Sequence, residues 1–146
     1  MRFSKLAKRT KEFRSLRAAA PAIRKLVEET SRLDNPELLL CVGRFSKNID
    51  KVLELTNSCD CHVKIRAILG PEVRELVLET LSKNTNFEIL DVVTHPTGHI
   101  PNYLVSECGA YLQNGLEFED AIVSFERNDL IKFLRNLYDD AYGEAA

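Results

Sequence analysis

At 146 residues, 45% hydrophobic and 29% charged, the chain has the length and composition of one globular domain able to bury a core. No apolar run approaches the roughly 18 residues that span a bilayer, and the N-terminus lacks the apolar core of a secretory signal. The expected location is therefore cytoplasmic, with Cys41, Cys59, Cys61 and Cys108 as reduced thiols. The net charge of −2 hides an asymmetry: residues 1–25 hold nine bases against Glu12, a balance of +8, so the remainder carries −10. Such a split points to an anionic partner: nucleic acid, a membrane surface or an acidic protein face, including the domain's own.

The first segment has helical periodicity. Phe3, Leu6, Phe13, Leu16, Ala20, Ile23 and Val27 recur at spacings near three and four, with bases on the other face. Pro21 is expected to separate two helices, over about 3–19 and 21–33, since it fits best in a first turn. This divides the chain into a basic amphipathic arm (1–20) and a single α/β domain (21–146). The apolar stripe of the arm is expected to dock on protein. Its bases Lys5, Lys8, Arg9 and Arg17 are the candidates for nucleic-acid contact.

Beyond the turn Asp34-Asn35-Pro36, strands are predicted at Leu38–Val42, Val63–Leu69 and Phe87–Val93. Helices over about 48–57 and 71–83 alternate with them, the first capped by Ser46 or Asn48. Such alternation implies right-handed crossovers and a mainly parallel, mixed sheet flanked by helices. Leu39, Cys41, Ile65, Ala67, Ile89, Leu90 and Val123 are the expected sheet core, with Val73, Leu76, Val77 and Leu81 inward on the second of these helices. Short strands at 102–107 and 110–113 flank a hairpin at Cys108-Gly109. Another strand at Ala121–Phe125 and a final helix to about Tyr142 follow.

This order of elements, with "PELLLCVGRF", "CHVKIRAIL", "NFEILDVV", "HIPNYLVSECGAYL", "DAIVSF" and "NDLIKFLRNLYDDAY", resembles one half of the phospholipase D-like superfamily over about Ala22 to Ala145. It also resembles the related sensor domains fused to archaeal transcriptional regulators. The resemblance implies that fold, and pairing of two copies across a cleft as a homodimer. The superfamily's catalytic signature is His-x-Lys-x4-Asp. Here His99 is followed by Pro101 at the lysine position and Ser106 at the acid position; a one-residue slip offers Asn102 and Glu107 but places Ile100 at the histidine. No register restores all three. Without a cation to stabilise phosphoryl oxygens, the resemblance implies a non-catalytic binding or regulatory module. The alternative is a phosphodiesterase or nuclease that keeps His99 as its nucleophile.

The candidate ligand-binding residues are thus His99, Asn102 and Glu107. Arg44 and Ser46 join them, because they follow the first strand near a helix N-terminus, where anions bind. Cys59, Cys61 and His62 form a C-x-C-H cluster that His95 or His99 could complete as zinc ligands by residue type. Parallel strands would hold the two groups at opposite ends of the sheet, so no metal is expected. Glycine-rich dinucleotide, Walker and G-x-S-x-G motifs are absent from the sequence, and no cofactor is expected.

Overall fold

The computed structural model describes residues 10–13, 16–113, 121–125 and 128–145, with only the backbone of 10–13, 16–19, 48 and 121–124. In chain order the elements are β1 (Thr10–Phe13), α1 (Leu16–Ser31), β2 (Glu37–Val42), α2 (Lys47–Asn57), β3 (Val63–Leu69), α3 (Arg74–Ser82), β4 (Phe87–Thr94), β5 (Tyr103–Val105), β6 (Gly109–Gln113), β7 (Ala121–Phe125) and α4 (Asn128–Ala145). The strands form one sheet in the order β1-β7-β6-β5-β2-β3-β4.

The sheet is mixed, and its parallel part is narrower than the sequence suggests. Pairings β2–β3 and β3–β4 are parallel. Pairings β5–β2, β5–β6, β6–β7 and β1–β7 are antiparallel. The alternation of strand and helix lasts only through β4. From β5 onward the helical crossovers stop, and the short β5–β6 hairpin makes its two strands antiparallel neighbours.

Helices cover both faces. One face packs α1 (Ile23, Leu26, Val27), α2 (Ile49, Val52, Leu53) and α3 (Val77, Leu81) on Leu38, Leu40, Val63, Ile65 and Ala67. The other packs α4, through Ile131, Leu134, Tyr138 and Ala141, on Leu39, Cys41, Ile68, Tyr103 and Val105. Successive residues of β2 thus serve opposite layers, as the pleat requires. From Leu38 onward the strand is apolar because both its faces are covered.

Three sequence expectations change. The helix over 3–19 gives way at Thr10–Phe13 to β1, which pairs with β7. Pairing with a sheet edge satisfies backbone groups there, so tertiary context overrides the helical periodicity. Residues 1–9, with Lys5, Lys8 and Arg9, lie outside the described residues, as does the side chain of Arg17. Pro21 does not separate two helices; it sits inside α1, which runs through the expected arm–domain boundary. It is exposed, and the buried stripe of Ile23, Leu26, Val27 and Thr30 holds the helix across the missing hydrogen bond. Finally, Leu76 and Leu90 are exposed, at 42% and 37%. The β3–β4 register shifts between Ile65 and Arg66, whose partners are Ile89 and Asp91, so Leu90 is bulged out of the ladder. Ile89 is half-buried, and the Val123 side chain lies outside the described residues.

Candidate functional site at the carboxyl end of the parallel strands

The loops leaving β2, β3 and β4 meet at one end of the sheet, backbone against backbone. A Cβ added at Gly43 would stand 2.1 Å from the Ile100 carbonyl oxygen and 2.5 Å from that of Gly98. Gly98 has φ 72°, which favours glycine. Beside this junction opens a cavity of about 390 Å3, walled by Arg44, the stretch 98–101, Asn102 and Gln113. Open α/β sheets hold ligands at this end of their parallel strands.

The walls divide into supports and free groups. Asn102 is a support. Its Oδ1 accepts from the Gly43 N–H (2.8 Å), and its Nδ2 donates to the Arg44 carbonyl (3.0 Å) and to Gln113 Oε1 (3.3 Å). Its backbone carbonyl accepts from the Gln113 N–H at 3.0 Å. Ser46 is also a support. Its hydroxyl accepts from the Ile49 N–H (3.1 Å), capping α2, and donates to Gln113 Oε1 (3.1 Å). Burial makes such satisfied polar groups rigid, because breaking any one bond strands its partner.

Arg44 and His99 are the free groups. Both are exposed at the mouth, and neither side chain has an ion-pair partner among the described residues. Among the described residues no acidic side chain lines the cavity. The arrangement can therefore hold an anion, with a guanidinium as cation and an imidazole as a second donor.

The structure thus brings Arg44, Asn102 and His99 to one cavity and places Ser46 just behind it. It does not bring Glu107, which is exposed in the β5–β6 hairpin at the far end of the sheet. Ser106, at the acid position of the catalytic signature, is at that far end too. It is fully buried and contacts Thr30 Oγ1 (2.8 Å) and Cys108 Sγ (3.2 Å). Pro101, at the lysine position, offers the cavity no charge.

Cys59, Cys61 and His62 precede β3, whereas His95 and His99 follow β4, which runs parallel to it. The two groups stand at opposite ends of the sheet. Burial pushes the Cys41 thiol up to about 12 and the Cys59 thiol up to about 11. Both are poor nucleophiles at neutral pH.

Gln113 escaped the sequence reading, and His95 entered it as a zinc ligand by residue type rather than as a link between elements. Gln113 ties Ser46 to Asn102; its signal was a polar residue ending an apolar strand. His95 is 4% exposed, and both its ring nitrogens are engaged. Nε2 lies 2.7 Å from Glu144 Oε2, and Nδ1 accepts the Gly98 N–H at 3.2 Å.

No protein-family model matches the chain, and no curated protein matches it. Among solved structures it is similar to that of TrmBL2, an archaeal chromatin protein whose structure is described as showing a novel mode of DNA binding. The TM-score is 0.57 at 12% sequence identity, over 96% of this chain and 54% of that one. The chain therefore spans about half the length of that protein, and at this identity the likeness is one of fold. No described helix is long and apolar enough to cross a membrane.

Proposed function

We propose that the chain is a non-catalytic binding module of phospholipase D-like build that engages nucleic acid. In this reading the cavity takes a phosphate group, held by Arg44 and His99, and the basic segment ahead of α1 meets further phosphates. The observation that carries it is the cavity wall: one free cation and one free imidazole among the described residues, with no carboxylate and no lysine. The charge split of +8 over residues 1–25 supports the second half, and so does the DNA binding in the description of a fold neighbour. The module is proposed to act as a homodimer, since the phospholipase D-like cleft is built from two such halves.

The alternative, hydrolysis with His99 as nucleophile, has in its favour only that His99 is exposed on the cavity loop. The structure puts Pro101, not a lysine, beside it, so the developing phosphoryl charge lacks that stabiliser. Three measurements on the purified chain test the proposal. DNA binding should weaken linearly in log–log with salt, as counterion release demands. A chromogenic phosphodiester should not turn over. Mass in solution should be that of two chains. Turnover abolished in His99→Ala would replace this reading with the alternative. Salt-independent binding, or none, would remove nucleic acid from it.

A further inference from the structure

We propose that His95 is a proton switch that positions the cavity loop, exchanging its hold on that loop for a tighter hold on the end of α4. The inference concerns regulation of the site described above, and only its effect on ligand binding rests on that reading.

His95 leaves β4, with its backbone N–H on the Leu69 carbonyl at 2.8 Å. Its side chain is 5% exposed, whereas that of Glu144 is 64% exposed. Because Nδ1 accepts the Gly98 N–H, the neutral ring must carry its proton on Nε2 and donate it to Glu144. One imidazole therefore ties the last turn of α4 to the glycine before His99. A second proton can enter only at Nδ1. There it would face the Gly98 N–H, donor against donor, and that bond must break. The acceptor in reach is Thr97 Oγ1, 3.4 Å away, which already receives the His99 N–H at 3.1 Å. A hydroxyl oxygen can accept both, so acid would join the ring to the oxygen that already holds the His99 N–H.

The Gly98 carbonyl packs on Gly43, so the loop cannot shift without disturbing the Gly43–Asn102 support. Meanwhile the imidazolium gains an ion pair with Glu144. Three elements bring charge to this corner. Glu144 of α4 touches the ring, Arg74 of α3 donates to Thr94 next in the chain (2.8 Å), and Asp91 of β4 accepts from Tyr142 of α4 (2.8 Å). Glu144 is the member in contact with the ring.

The test is nuclear magnetic resonance on the full labelled chain between pH 8 and pH 5. At pH 8 the ring nitrogens of His95 should show the Nε2–H tautomer. As His95 titrates, the Gly98 amide should lose protection about tenfold after correction for intrinsic exchange, the loss expected for one hydrogen bond. The His99 amide should shift with the same midpoint. His95→Asn keeps an acceptor near Gly98 that does not titrate, so protection should become independent of pH. An Nδ1–H tautomer at pH 8, a Gly98 amide indifferent to His95 titration, or an unchanged response in His95→Asn would each overturn the proposal. Sulfate, ionised throughout this range, reads the cavity separately. If it fails to bind at any pH, the phosphate reading of the cavity falls, while the exchange data still decide the switch.

Discussion

The two ends of the sheet solve the same problem differently. At the carboxyl end of the parallel strands, loops from separate strands meet around glycines, and a row of amides and one hydroxyl braces them beside an open cavity. At the other end the β5–β6 hairpin closes on α1. The Thr30 hydroxyl donates to the Leu26 carbonyl (2.7 Å) and meets Ser106 Oγ (2.8 Å), with Cys108 Sγ at 3.4 Å. That end also has a hollow, of about 270 Å3, between the starts of β3 and β4. Its wall carries Lys64 and Glu88 together, so its charges offset one another. Of these two hollows, the larger presents positive charge with no acid among the described residues. Rigidity there serves an open site, whereas at the hairpin end it serves closure.

The largest effect should come from filling the glycine junction. Gly43→Ala puts a methyl group where backbone oxygens of Ile100 and Gly98 already stand, and backbone cannot rotate away as a side chain can. The expected loss is about 3 kcal/mol or more, at the upper end of overpacking costs. It should appear as a melting temperature lowered by about 10 °C or more. A melting curve unchanged within error would mean that the two loops are not in contact.

Alkaline pH should destabilise both ends through the layer between them. Burial raises the thiols of Cys41 and Cys59 to about 12 and about 11, from 9.0 in the exposed groups, and also raises Tyr103, Tyr111 and Tyr138. A raised folded value means that the unfolded chain gives up these protons first. Their stabilisation is therefore complete below about pH 9 and fades as pH climbs toward the folded values. For fully buried Cys41 alone the slope is about 1.4 kcal/mol per pH unit. Urea midpoints measured from pH 7 to 10.5 should be flat to about pH 8.5 and then fall. Alkylation at pH 8 adds a spatial reading: half-buried Cys61 and Cys108 should react before Cys41 and Cys59.

At the hairpin end the effect should be smaller. Thr30→Val keeps the shape but removes a hydroxyl that bonds the Leu26 carbonyl and Ser106. Ser106 retains the Cys108 N–H at 3.3 Å, so it is not stranded. About 1 kcal/mol is expected, with anion binding at the cavity unchanged. A loss of binding would show that the two ends are coupled through α1.

Much of the middle of this molecule was legible in the sequence. The run Leu38–Val42 is apolar for its whole length because both its faces are covered, Val63–Leu69 is apolar apart from half-buried Lys64 and Arg66 on one face of its first half, and turn residues bound both sharply. Thr10–Phe13 was not legible. Four residues at a sheet edge leave no period of their own, and Phe13 also fits the helical spacing of Leu16, Ala20 and Ile23. Leu90 misled because an apolar run reads as a strand covered on both faces, whereas β4 is the edge strand and its register shifts at Leu90, which one strand read alone cannot reveal. At the cavity, Arg44 and His99 could be found because each follows a strand at the same end of a parallel pair. Asn102 was found as a ligand group, and the structure shows its amide engaged in support of the loop. Gln113 and His95 act through partners 67 and 49 residues away, which local spacing cannot reveal.

The smallest effect on stability should accompany the largest effect on binding, and Arg44 is where the two separate. Its side chain is exposed and has no ion-pair partner among the described residues. The loop uses only its backbone carbonyl, which accepts from Asn102. Arg44→Gln keeps that carbonyl and a neutral side-chain donor while removing the charge, so the melting temperature should move by less than about 2 °C, as for an ordinary surface substitution. Sulfate binding should nevertheless weaken about tenfold or more, because a charge-assisted hydrogen bond contributes about twice a neutral one. Asn102→Asp supplies the contrast. It adds negative charge beside the cavity and replaces two N–H donors with an acceptor that faces the Arg44 carbonyl and Gln113 Oε1. Both stability and binding should fall in that variant, and the melting curve should shift several degrees downward. If Arg44→Gln instead lowers stability as much as Asn102→Asp does, the guanidinium is a brace like its neighbours. The cavity would then have no free cation with which to hold an anion.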